Sequence, residues 1–280
     1  MTTHIGLGLP VVDPASLVDW GRRAEAAGFA TVAMLDRWVW DNAEPLIALA
    51  ALAAATDTIG LQTEVLLAPL RDPVLLAKQA ATLDRISGGR LTLGLGVGGR
   101  TDDFAAANVP MRERGRRMDA ALPTLRRVWR GEGTIGPAPH RPGGPEVLIG
   151  AAAPTALRRA AIHGDGVIAS EGPRETEALF ARALADWAAE GRSGAPRLAA
   201  QVDVVLGPDD VVADARERMS KYYAYLPYDA TKRLHAGEAA IVSAIDTYTS
   251  LGAGEITLFC WSVDPDQVQR LAAVVAPSPA

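Results

Sequence analysis

Three glycines, two carboxylates and a serine-led turn carry the first chemical suggestions in this chain. The run LTLGLGVGGR, residues 91–100, spaces Gly94, Gly96 and Gly99 as G-x-G-x-x-G. That is the spacing of a turn whose backbone N–H groups hold a dinucleotide pyrophosphate. Asp36, in AMLDRW, stands at the end of one apolar run, and Glu64 stands inside another, GLQTEVLLAPL. A carboxylate can move a proton where its surroundings bring its pKa near the working pH. In SEGPRE, Pro173 marks a helix start after a strand, with Ser170, Gly172 and Arg174 around it. Free N–H groups and the helix dipole favour an anion at such a place, although Ser170 could equally serve as a helix cap. Tyr222, Tyr223, Tyr225 and Tyr228 cluster in a way that suits a substrate lid or a contact between copies. No H-E-x-x-H, paired-cysteine or G-x-S-x-G pattern occurs, so zinc and serine hydrolysis lose their main support. His163 and His235, on expected helical stretches, read as structural, and Cys260 in ITLFC as a buried small hydrophobe.

These residues need a scaffold, and the chain supplies a regular one. Short β-like runs at 5–9, 30–36, 59–67, 91–97, 147–150, 165–170, 198–206 and 255–260 alternate with amphipathic helical runs. Asp13-Pro14, Asp72-Pro73 and Asp264-Pro265 open helices, and Gly28 and Gly88 close two of them. This order in 280 residues predicts an α/β fold, a (β/α)8 TIM barrel, with a doubly wound open sheet as the alternative. No shift in composition marks a boundary, so the expectation is a single domain over 1–276 with a disordered tail at 277–280. A formal net charge of −5, with arginines spread among acidic residues, gives no reason to expect nucleic acid or an anionic membrane. Without a secretory leader or an 18-residue apolar run, the expected setting is cytoplasmic.

The alternation inside the strands bears on the glycines. Leu91, Leu93, Leu95 and Val97 share one face of their strand; Thr92, Gly94, Gly96 and Gly98 share the other. In the third strand Leu61, Val65 and Leu67 oppose Gln62 and Glu64. A barrel produces this split, with one face against the helices and the other inside. Gly94 and Gly96 thus fall within a strand, with the next clear helix expected near Met111, so a pyrophosphate turn is disfavoured.

The block APLRDPVLLAKQAATLDRISGGRLTLGLGVGG, followed by DDFAAANVPMRERGRRMDAALPTLRRVW, resembles the bacterial luciferase-like monooxygenases, a family that includes users of the deazaflavin coenzyme F420. VLIGAAAPTALRRAAIHGDGVI and YLPYDATKRLHAG resemble further segments of that family. The resemblance implies a barrel, usually a homodimer, with a flavin-type ring at its C-terminal mouth and a small organic molecule as substrate. It puts the ring against a bulge at Thr63, Glu64 and Val65, beside Gly98 and Gly99 and the segment Ala151, Ala152 and Ala153. The phosphate would then lie near Ser170, Gly172 and Arg174. Asp36 would touch substrate or cofactor, Trp38 and Trp40 would line or rim the pocket, and Asp103 would be a family acid or a helix cap.

Glu64 departs from the family pattern, in which the bulge usually carries a small residue. As a desolvated carboxylate it becomes a candidate general acid; paired with Arg37 or Arg100 it would be structural support; otherwise it would block the ring. A like charge beside a reduced, anionic ring costs roughly 4 kcal/mol unless Glu64 is protonated, neutralised or turned into the barrel. Asp36-Arg37 replaces the Asp-His pair common among F420 users, which favours FMN over F420. The rival from another class is a cofactor-free relative serving as a binding or dimer-partner protein. A barrel aldolase would want a strand-end lysine, and none stands there.

Overall fold

All eight expected strands form in the computed structural model, which describes residues 2–10 and 13–275; the expected tail at 277–280 lies outside the described residues. In chain order they are β1 (His4–Gly8), β2 (Thr31–Met34), β3 (Gly60–Leu67), β4 (Leu91–Gly96), β5 (Glu146–Gly150), β6 (Gly166–Ala169), β7 (Arg197–Val205) and, last, β9 (Glu255–Cys260). A two-residue β8 (His235–Ala236) adds to the side of β7. The pairing order β6-β5-β4-β3-β2-β1-β9-β7 closes through β6 and β7, and every pairing is parallel. Helices α1 (Leu17–Ala26), α2 (Pro45–Ala55), α3 (Pro73–Ile86), α4 (Thr101–Ala106), α5 (Arg114–Trp129), α6 (Pro154–His163), α7 (Pro173–Ala189), α8 (Asp209–Tyr222), α9 (Glu238–Ser250) and α10 (Gln267–Val275) connect them. The result is a (β/α)8 barrel, as the alternation predicts.

Local chemistry sets the helix starts. Asp72 accepts from the N–H groups of Val74 and Leu75 at 2.9 and 2.8 Å, with Pro73 in the first turn. The outward strand face carries Leu61, Leu66, Leu91, Leu93 and Leu95 into one apolar core with Leu76, Ala80, Leu122 and Leu125 of α3 and α5. Inside the barrel, Leu148, Ile168 and Ala199 form a small apolar layer against which Val65 packs.

Three expectations change. The first helix after β4 begins at Thr101, not near Met111, because a short α4 with Asp102 and Asp103 in its first turn precedes α5. His235 sits in a strand, paired beside Val204, rather than in a helix. In β3 the alternation reverses midway: Val65, expected on the helix face, packs inside, and Leu66 takes its place in the outer core. The cause is an inserted residue. Thr63 pairs with Leu93 while Leu66 pairs with Leu95, so three steps on β3 span two on β4.

The inserted residue explains the glycines. A Cβ on Gly94 would lie 2.0 Å from the Thr63 carbonyl oxygen, and one on Gly96 would lie 2.4 Å from Val65 Cγ2. Gly94 and Gly96 make room for the bulge of the neighbouring strand. A helix does open two residues past Gly99, but both of these glycines lie in β4 and face β3, away from any turn that could hold a pyrophosphate.

Candidate active site

The bulge lies in the wall of a cavity of about 320 Å³ at the C-terminal mouth of the barrel. Its lining includes Asp36, Arg37, Glu64, Val65, Gly98, Gly99, Arg100, Asp103, Ala151, Ala152, Ser170, Gln201, Tyr222, Tyr223 and Tyr225. The Glu64–Val65 peptide bond is cis. Glu64 is buried at 5% exposure, and its Oε2 accepts from Gln62 Nε2 at 2.8 Å while Oε1 has no partner among the described residues. Burial pushes its pKa up to about 8; the Gln62 hydrogen bond works against the rise and the nearby Glu255 carboxylate adds to it. At neutral pH Glu64 is therefore mostly the uncharged acid. Neither arginine considered as its partner takes that place. Arg37 donates from Nε to Asp103 at 2.7 Å and from Nη2 to Asp102 at 2.9 Å, and Arg100 stacks on Tyr222 and Tyr225.

Asp36 reaches the cavity but both its oxygens are engaged. Oδ2 accepts from the Leu67 N–H at 2.8 Å and from Arg71 Nη1, and Oδ1 accepts from Arg71 Nη2 at 3.2 Å. Burial raises its pKa even against the Arg71 guanidinium. Since Leu67 ends β3, Asp36 ties the end of β2 to the strand just past the bulge. Asp103, expected as a family acid or a cap, does a similar task across the mouth. Its Oδ1 accepts from the N–H groups of Trp38 and Val39 at 2.9 and 2.8 Å, so it fixes the loop after β2 rather than capping its own helix.

Of the expected cofactor residues, Glu64, Val65, Gly98, Gly99, Ala151, Ala152 and Ser170 come together at the cavity; Thr63, Ala153, Gly172 and Arg174 do not line it. Thr63 is fully buried and donates to the Gly94 carbonyl at 2.7 Å, which ties the bulge to β4. Ser170 does not cap α7: the N-cap is Gly172, without a side-chain hydrogen bond. A Cβ on Gly172 would meet Glu175 Oε2 at 3.0 Å, so a carboxylate already folds back over that helix start. Three tyrosines of the cluster go to the cavity wall, and Tyr228 stays exposed. Trp40 packs edge-on to Tyr222 with centroids 5.5 Å apart, while Trp38 is exposed. Gln201, Arg100 and the tyrosines enter the site from β7, the loop after β4 and the end of α8. Of these, the sequence singles out the tyrosine cluster, as a lid or a contact between copies, and Arg100 only as a partner for Glu64.

Comparisons with known proteins agree with this architecture. The profile of the family described as "Luciferase-like monooxygenase" matches residues 2–275. An uncharacterized protein of Mycobacterium tuberculosis is 35% identical over 185 residues, covering 59% of this chain and 63% of that protein. An F420-dependent glucose-6-phosphate dehydrogenase of Kribbella flavida is 28% identical over 214 residues, covering 69% of this chain and 64% of that protein. The chain thus spans less than two thirds of the length of these curated relatives. Among solved structures, monooxygenase RslO1 of Streptomyces bottropensis superposes with a TM-score of 0.81 at 22% identity over 97% of each chain. An F420-dependent secondary alcohol dehydrogenase, in complex with an F420-acetone adduct, superposes with 0.83 at 17% identity over 98% of each chain. At such identities these structures support the fold alone. No described helix is long and apolar enough to cross a membrane.

Proposed function

From the premise that the chain belongs to the luciferase-like monooxygenase family, we propose that it is an oxidoreductase that binds a reduced flavin, FMN, at the barrel mouth and acts on a small organic substrate. The observation that carries this reading is the bulge of β3 in the cavity wall, with an uncharged acid beside it. The residues present fit a flavin-type ring. The cavity volume of about 320 Å³ is at the low end for ligand pockets, room for a ring system whose chain leaves through the open mouth. Gly98 and Gly99, in the loop after β4 and next to the bulge, leave that part of the wall without side chains. Glu64, uncharged at neutral pH, adds no charge that would repel a reduced ring.

When bound, the cofactor would supply the hydride or the activated oxygen. The protein's part lies in its own groups. Glu64, Val65, Gly98, Gly99, Ala151 and Ala152 would hold the ring, with Thr63 fixing the bulge from behind through the Gly94 carbonyl, and Ser170, with the N–H groups past Gly172, would hold a phosphate once Glu175 swings aside. Asp36, through Leu67 and Arg71, and Asp103, through Trp38 and Val39, keep the two sides of the mouth in register. Glu64 holds a proton at the cavity wall, where it can be given to a developing anion and regained from solvent.

Coenzyme F420 is the second reading, supported by the dehydrogenase relative. Position 37 weighs against it, because an arginine tied to Asp103 cannot pass a proton as a histidine would. Anaerobic titration with reduced FMN and with reduced F420, followed by absorbance and fluorescence, tests the proposal. FMN should bind more tightly. Tighter F420 binding moves the assignment to the deazaflavin, and binding of neither supports the cofactor-free alternative.

A further inference from the structure

The mouth of the cavity holds two guanidinium groups, and one of them, that of Arg100, has no ion pair among the described residues. Arg100 Cζ lies 4.2 Å from the Tyr222 ring centroid and 4.0 Å from that of Tyr225. Arg37 Cζ lies 5.5 Å from the same Tyr222 centroid, so two guanidinium groups converge on one ring. Both arginines line the cavity. Arg37 is buried, and its Nε and Nη2 are taken by Asp103, Asp102 and the Val39 carbonyl. Its Nη1 is buried with no acceptor among the described residues. Arg100 has aromatic faces on its sides and no ion pair among the described residues. Burial, and the like charge of Arg37, lower its pKa. Asp103 and Asp102 neutralise Arg37 and Asp36 is held by Arg71, so the charge left without an ion pair is that of Arg100. Glu171 also lines the cavity.

A buried guanidinium nitrogen without an acceptor is costly, and a planar oxyanion is its natural complement. The rings around Arg100 offer flat apolar faces. We propose that Arg37 and Arg100 form the subsite for a carboxylate carried by the substrate, so that the enzyme acts on flat, conjugated organic acids whose apolar body rests on Tyr225 and reaches in toward the bulge. The inference deepens the functional reading above and rests on it for the word substrate; the anion site itself does not need the cofactor. The other source of an anion is the cofactor's own phosphate, and the experiment separates the two.

The cofactor-free protein is titrated with benzoate and with its neutral counterpart benzamide, by calorimetry or intrinsic fluorescence. The wild type should prefer benzoate at least about tenfold, the scale of one charge-assisted hydrogen bond. Arg100→Gln should lose that preference, Arg100→Lys should keep part of it, and both should melt near the wild-type temperature. The ratio of FMN to riboflavin affinity should not change in Arg100→Gln. Equal binding of benzoate and benzamide by the wild type overturns the proposal, as does full benzoate affinity in a folded Arg100→Gln protein. A selective loss of FMN over riboflavin in that variant assigns the pair to the cofactor's phosphate and overturns it too. A protein that binds neither FMN nor F420 yet holds benzoate through Arg100 loses the proposed function and keeps the anion site.

Discussion

Replacing Glu64 by glutamine tests whether this site is built around an uncharged acid. The folded protein holds the Glu64 proton to a pKa of about 8, against 4.5 for an ordinary glutamate. The folded state therefore binds this proton more tightly than the unfolded chain does. Stability from this group is full below pH 4.5 and falls as pH rises toward 8, by about 1.4 kcal/mol per unit. On that scale about 3 kcal/mol is gone at pH 7 and about 5 kcal/mol by pH 9. Glutamine has nearly the same shape, no charge to desolvate, and an amide that can face the unpartnered Gln62 Oε1. Urea unfolding of both proteins at pH 5, 7 and 9 should show little difference at pH 5, and a growing advantage for Glu64→Gln at pH 7 and 9. Groups common to both proteins cancel in that difference. A gap that does not vary with pH refutes the reasoning, because Glu64 would then titrate alike folded and unfolded. The same state governs ligand affinity. About nine in ten copies carry the proton one unit below the pKa, so Glu64→Gln should barely alter reduced-FMN binding at pH 7. If Glu64 is the proton donor, turnover falls at every pH.

Asp36→Asn keeps an acceptor for Leu67 and leaves Glu44 on Arg71, and it removes a charge that burial already disfavours, so denaturant melts at pH 7 should show no large loss; a loss of about 3 kcal/mol or more would mean that the Arg71 pair outweighs the burial of the carboxylate. Gly94→Ala should abolish soluble folded protein, since its Cβ would sit 2.0 Å from a backbone oxygen. Gly99→Ala meets only the Tyr225 ring, at 3.6 Å, and should melt near the wild type; similar behaviour of the two variants by circular dichroism contradicts the assigned role of the bulge. We further expect a homodimer, from the family resemblance. Light scattering at micromolar concentration should return twice the chain mass, and a monomer mass defeats the expectation.

What could be read from the sequence is what has a short period. Strands at 91–96 and 255–260 announce themselves through alternating or continuous apolar residues, and helices through Asp-Pro starts, because each signal is set by neighbours a few residues away. The arginine and tyrosine wall has no such signal. Arg37, Arg100 and Tyr222 are far apart in the chain and meet only because the loops after β2 and β4 and the end of α8 share one end of the barrel. Nor did anything local indicate that Asp103 would turn to the loop after β2 instead of its own helix start.

The bulge shows why one strand cannot be read alone. Within β3 the residues 60–67 keep a period of two whichever way the inserted residue falls, so the pattern by itself places Val65 on the wrong face. The missing information sits on the neighbour. Gly94 and Gly96 would be weak choices for a strand interior, costing entropy and packing nothing, unless something on β3 must come closer than a methyl group allows. The Thr63 carbonyl and Val65 Cγ2 do so. The two alternating glycines of β4 thus face the protrusion of β3. At the mouth of a barrel, that protrusion shapes the surface a ligand meets. The G-x-G at Gly94 and Gly96 records the fit between two strands, and its bearing on a cofactor is through Glu64 and Val65, the residues it lets into the cavity.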